Sequence, residues 1–215
     1  MKSFFDKLTD EQKSRIRAVC IDRNGTYATC IEEHLPHVQI AYDKFHLVKN
    51  LNDVIDKIRI DLWRQARSEG DRTSAEIIKG QKYNLLRNRK NNTTSQQQRL
   101  DELLKVNAPL SEAYLLLESF KHTLSSIDRV QMHKDLIDWI QMAGRSCRKE
   151  MRKFAKNLSD VVENVINAVK YKLNNGLIER FNGKIAMVIR RACGCKNLDY
   201  LFLNLRQLAK TPIPL

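Results

Sequence analysis

Along the first part of the chain, apolar positions fall into two short runs separated by an amphipathic stretch of helix length. Phe4, Phe5 and Leu8 precede Thr9-Asp10-Glu11-Gln12, which reads as a helix cap and the turn after it. Ile16 to Ile21 is a β-rich apolar run that ends at Asp22, and Val38 to Tyr42 is a second that ends at Asp43. Between them, Thr26 to Leu35 has the length of a helix and is closed by Pro36, and Phe45-His46-Leu47-Val48 opens a long helix. Strand, helix, strand, helix at these lengths predicts a βαβ unit with a parallel sheet. Both strands end in a carboxylate at the C-terminal edge, where open α/β sheets place their chemistry.

From about residue 46 to 170 only helical spacing remains. Leu47, Leu51, Val54, Ile55, Ile58 and Leu62 form one stripe, prolonged by Trp63. Residues 79–99 carry Lys79, Lys82, Arg87, Arg89, Lys90 and Arg99 without an acidic residue. Asn91 to Ser95 breaks this run and caps the next helix, and Pro109 punctuates again. Helical spacing continues through Tyr114 to Phe120, through Leu136 to Ile140, and in one stretch from Met151 to Val169. A last helix is entered through Asn174-Asn175-Gly176 and left through Cys193-Gly194. Leu177, Phe181, Ile185, Val188 and Ala192 share its apolar face, bordered by Arg180, Lys184 and Arg191. Glu179 points away from that face. In the first turn it can simply favour the helix dipole, or it can bind a metal beside a polyanion.

Composition sharpens this picture in two respects. Seven Gly and four Pro beside 42% hydrophobic residues predict a soluble, mostly helical protein. No apolar run has the length of a membrane span and the N-terminus lacks a signal h-region, so a cytosolic protein is expected. The net charge of +13 and the pI near 9.6 favour a polyanionic partner, most commonly nucleic acid. The acid-free run at 79–99 and the cations Arg180, Lys184, Arg190, Arg191 and Lys196 read as phosphate contacts or, more blandly, as a solvated surface. Tyr83 and Trp63 can stack on bases, though core packing is the expectation for each. The five cysteines are odd in number and scattered. Cys20 reads as a small buried side chain, and Cys193-Gly194-Cys195 has no second ligand pair for zinc.

Several segments carry a resemblance. They are Phe4-Phe5 with Leu8, Val19-Cys20-Ile21-Asp22, Leu35-Pro36, Asp43-Lys44-Phe45-His46, Lys79-Gly80 with Leu85-Leu86-Arg87-Asn88, Asn174 to Asn182, and Arg190 to Gly194. In this order, over essentially the whole chain, they resemble the DDE transposases of the ISL-three group of bacterial insertion sequences. The resemblance implies a mostly helical α/β protein, a partial ribonuclease H-like domain with a large all-α insertion. It divides the chain into a partial core at 1–48, a helical insertion at 49–172, and a returning core helix and tail at 173–215.

The same resemblance implies a catalytic centre of two aspartates and a glutamate that binds Mg²⁺ or Mn²⁺ and cleaves and transfers DNA strands. Asp22 matches the second aspartate and Glu179 the glutamate, as catalytic residues and metal ligands. Asp43 and His46 match an accessory Asp-x-x-His signature, and Asp43 stands as an alternative ligand to Asp22. Read alone, Asp22 is equally an N-cap and His46 a satisfied histidine. Lys79, Lys82, Arg87, Arg89, Lys90, Arg180, Lys184, Arg190 and Arg191 are the DNA-binding candidates. Transposon ends and target DNA are the implied partners, with a homo-oligomer as an option, in the bacterial cytoplasm at the nucleoid.

No counterpart of the first aspartate is found, since Asp6 and Asp10 lie in a helical, strandless context. The expectation is therefore the C-terminal portion of a transposase, catalytically incomplete alone and with an exposed sheet edge. The alternative is a non-catalytic, basic, helical DNA-binding protein that modulates a full-length transposase.

Overall fold

The computed structural model describes residues 2–23, 25–173, 176–192 and 197–210. The chain divides into two compact units, Met1–Lys172 and Leu173–Leu215.

The first unit opens with α1 (Lys2–Phe5) and α2 (Asp10–Arg15). Thr9 closes a capping box on α2: the Gln12 N–H donates to Thr9 Oγ1 at 3.2 Å, and the Thr9 N–H donates to Gln12 Oε1 at 3.0 Å. Then come β1 (Ala18–Ile21), α3 (Gly25–His34) and β2 (Gln39–Tyr42). The strands are parallel, with Ala18 opposite Gln39 and Ile21 opposite Tyr42, so the predicted βαβ unit is present. Each strand starts later than its apolar run because a turn bond holds the run's first residue. The Ile16 N–H closes α2 on Lys13 O, and the Val38 N–H turns back to Leu35 O.

Helices fill the rest of the unit: α4 (Lys44–Ser68), α5 (Arg72–Ile78), α6 (Lys82–Leu86), α7 (Thr94–Val106), α8 (Ala108–Ser125), α9 (Arg129–Gly144), α10 (Lys149–Ser159) and α11 (Val162–Lys170), with a 3-10 turn at Arg89–Asn91. The predicted stripe on α4 is buried at Leu47, Leu51, Ile55, Ile58 and Leu62. Thr93 and Gln96 form a second capping box, and Pro109 lies in the first turn of α8, where its missing N–H is not needed. Trp139 is fully buried between Phe120 and Phe154, at centroid distances of 4.6 and 5.9 Å, and its indole N–H donates to Leu116 O at 2.8 Å. A single apolar cluster runs from Phe5 to Ile166, so the sheet and the helices after it share one core.

The stretch from Met151 to Val169 is two helices, not one. The chain breaks at Asp160–Val161, where the Val161 N–H bonds Leu158 O, and α11 then packs on β2. Gln39 and Asp43 turn their N–H groups to β1, so the Ile40 carbonyl between them points away from it. Asn164 and Asn167 satisfy that carbonyl, their side-chain amides donating at 3.3 and 2.9 Å.

The second unit pairs α12 (Gly176–Arg191) with α13 (Leu198–Lys210). Phe181, Ile185, Val188 and Ala192 are half-buried, as one apolar face requires. The Asn174-Asn175 cap, Cys193, Gly194, Cys195, Lys196 and the side chain of Leu177 lie outside the described residues. No helix among the described residues is long and apolar enough to cross a membrane.

Candidate metal centre

Parallel pairing in this register brings the residues after the two strands, Asp22 and Asp43, out together at the C-terminal end of the sheet. The Asp43 N–H donates to Ile21 O at 3.1 Å and extends the ladder by one bond. Asp43 also occupies the N-cap of α4, yet its carboxylate makes no capping bond. It accepts instead from His46 Nδ1 at 2.8 Å, in the first turn of that helix. The same nitrogen lies 3.0 Å from Asp22 Oδ1. Two carboxylates facing one ring nitrogen place a proton on Nδ1, which leaves the lone pair of neutral imidazole on Nε2. Side-chain exposure separates the two acids: 6% for Asp43 and 50% for Asp22.

Cys20 lies behind them on β1. Burial, then the charges of Asp43 and Asp22, push its thiol up to about 11. A second anion is disfavoured there, whereas a cation is favoured. One ligand atom each from Asp22, Asp43 and His46 lies within 4.8 Å of the others. The two His46 separations are hydrogen bonds through the proton on Nδ1, so the atoms open to a cation are the carboxylate oxygens of Asp22 and Asp43. Two carboxylates give hard oxygens and negative charge, which suit Mg²⁺ or Mn²⁺. The residues fit such an ion.

A family model described as "Transposase", that of the ISL-three group, matches residues 1–205. The chain belongs to that family. It is 34% identical over 206 residues to the transposase for insertion sequence element IS1001 of Bordetella parapertussis, covering 95% of this chain and 50% of the relative. It is 28% identical over 214 residues to the transposase for insertion sequence element IS1557 of Mycobacterium tuberculosis, covering 90% of this chain and 48% of the relative. The chain thus spans about half the length of the curated relatives it matches. No solved structure matches it.

Of the transposase residues expected from sequence, Asp22, Asp43 and His46 are brought together. Glu179 lies in the first turn of α12 in the second unit, and its side chain is outside the described residues. Among the expected DNA contacts, two are paired with acids of neighbouring helices. Lys82 Nζ lies 2.8 Å from Asp56 Oδ2, and Arg89 lies 2.8 Å from Asp101 Oδ1. Lys79, Arg87 and Lys90 are exposed. In the second unit Arg180 and Arg190 bond back to Gly176 O and Ala186 O at 3.3 and 3.4 Å, Arg191 is exposed and Lys184 is half-buried. Trp63 packs partly on the core as expected, but Tyr83 is 70% exposed, contrary to the core reading. Its helix turns Asn84 and Leu85 inward instead.

Three residues around the centre escaped the sequence reading. Lys44 donates to Leu124 O at 2.8 Å, tying the start of α4 to the end of α8, and burial holds its amine below the usual lysine value. Phe45 is exposed and meets the His46 ring edge-on at 5.6 Å. Arg23 donates to Asn157 O at 2.7 Å, which fixes the chain just after Asp22. The Asp-Lys-Phe-His string flagged all but Arg23, yet only its acid and imidazole were read for chemistry.

Proposed function

We propose that this chain carries part of the metal-dependent DDE nuclease centre of a DNA transposase, with a ribonuclease H-like core built on β1 and β2. The convergence of Asp22, Asp43 and His46 beyond the ends of two parallel strands carries the reading. Asp22, the more exposed acid, and Glu179 are the metal ligands, while the buried Asp43 and His46 are accessory. A divalent ion, Mg²⁺ or Mn²⁺, supplies charge neutralisation and activation of water or a 3′-hydroxyl at phosphorus. Asp43 orients the imidazole through Nδ1, and His46 Nε2 is left to accept a proton. The exposed cations of the basic run and the cations of α12 bind phosphates of transposon ends and target.

The donor set within the first unit holds two carboxylates and one imidazole. On this reading the chain alone is catalytically incomplete, and it works as part of a larger assembly at the bacterial nucleoid.

Iron-directed cleavage tests the assignment, because Fe²⁺ with ascorbate cuts a polypeptide beside its own ligands. Cuts next to residues 22, 43 and 179 are expected, suppressed by excess Mn²⁺. Cuts at the first two without one near 179 would remove Glu179 from the site, and no specific cut would remove the site itself.

A further inference from the structure

The acid-free run is a built platform rather than a solvated loop. Lys82 is held by Asp56 on α4, and Arg89 by Asp101 on α7. Between these two pins, the buried Asn92 donates its side-chain amide to Asn84 O at 3.0 Å. The Gln97 amide donates to Arg89 O and Asn92 O at 3.2 and 3.1 Å, and the Asn84 amide to Gln81 Oε1 at 2.7 Å. The positive φ of 77° at Gly80 turns the chain into α6, a conformation glycine adopts without strain. On this scaffold Tyr83, 70% exposed, lies within twelve residues of chain with the exposed Lys79, Arg87 and Lys90. Among the described residues none of these three cations has an acidic partner.

Gathering like charges on a fixed surface costs free energy unless a polyanion neutralises them, and fixing them beforehand lowers the ordering cost of binding. An exposed ring among such cations is the combination that holds a single nucleic-acid strand, because every base has a face to stack while the backbone takes the charges. We infer that Tyr83, Lys79, Arg87 and Lys90 form a single-strand DNA contact surface, with Tyr83 stacking on an unpaired base. This inference rests on reading the chain as part of a DNA transposase. The surface is separate from the acidic centre: Asp56, which anchors it, lies about 20 Å along α4 from Asp43.

Fluorescence anisotropy with a single-stranded oligothymidylate and the same strand in duplex, on the full chain at several salt concentrations, tests this. Tyr83→Ala should weaken single-strand binding by about 5- to 150-fold at unchanged salt slope, whereas Tyr83→Phe should keep wild-type affinity. Lys79→Gln, Arg87→Gln and Lys90→Gln should each flatten the salt dependence by about 0.7 in log–log slope. Wild-type affinity in Tyr83→Ala, equal losses for single strand and duplex, or no binding by the wild type would overturn the proposal. Mn²⁺ binding by the same variants separates the two readings. An intact Mn²⁺ site with no Tyr83 effect sinks this surface alone, and a Tyr83 effect without a Mn²⁺ site sinks the nuclease centre alone.

Discussion

Asp43 and Asp56 are associated with the same helix, and both are largely withdrawn from water, but they meet different partners. Asp56 sits between Arg59, at 2.7 Å, and Lys82, at 2.8 Å, so the fold itself neutralises it. Burial pushes its carboxyl up, but the hydrogen bonds and charges of Lys82 and Arg59 outweigh burial and hold it below the ordinary value of 3.8. Asp43, the more deeply buried, has one imidazole, which a second carboxylate shares. A carboxylate meant only for stability is surrounded like Asp56. One left with a shared imidazole retains the capacity to take a cation, and that capacity is what a metal centre needs.

The contrast can be broken most forcefully at Asp56. Asp56→Ala leaves the half-buried Arg59 without its carboxylate, while the exposed Lys82 turns to water, and should lower unfolding stability by about 1–2 kcal/mol, as read by urea denaturation. Asp43→Asn should shift it by less than about 1 kcal/mol, because the amide oxygen still accepts from His46. The same substitution should lower Mn²⁺ affinity by about 10- to 100-fold, which Asp56→Asn should not. Equal stability losses at the two positions would erase the distinction.

How far this was legible in sequence differs between elements. The βαβ unit was, because its apolar runs have strand length and end in Asp22 and Asp43. The break between α10 and α11 was not. Leu158 to Val162 contains neither Gly nor Pro, and the turn is fixed at long range by the Asn164 and Asn167 amides on Ile40. Asp22, Asp43 and His46 could be named from the resemblance, but their shared nitrogen follows only from the parallel register. The exposure of Tyr83 was hidden because a lone Tyr in a short helix has no period to reveal its face. Which cations are pinned was likewise hidden, since Asp56 and Asp101 lie far from their partners in the chain.

Acid sharpens the comparison further. A depressed carboxyl value stabilises the fold above the unfolded value of 3.8, and that contribution is lost as pH falls through the folded value. The stability gap between wild type and Asp56→Asn should therefore be constant above about pH 5 and close at more acidic pH. A gap that widens on acidification would contradict the ion-pair assignment. A last effect concerns Cys20. With its thiol near 11 rather than 9.0, it should react with iodoacetamide at pH 8 about 100-fold more slowly than an unperturbed thiol. Asp43→Asn should relieve only part of that, because burial is the larger cause.

The most direct test of the acidic centre is Mn²⁺ calorimetry on the wild type, Asp22→Ala, Asp43→Ala and Glu179→Ala. The account predicts weak single-site binding that is lost in Asp22→Ala and Glu179→Ala and weakened in Asp43→Ala. An isotherm unchanged by all three substitutions would contradict it.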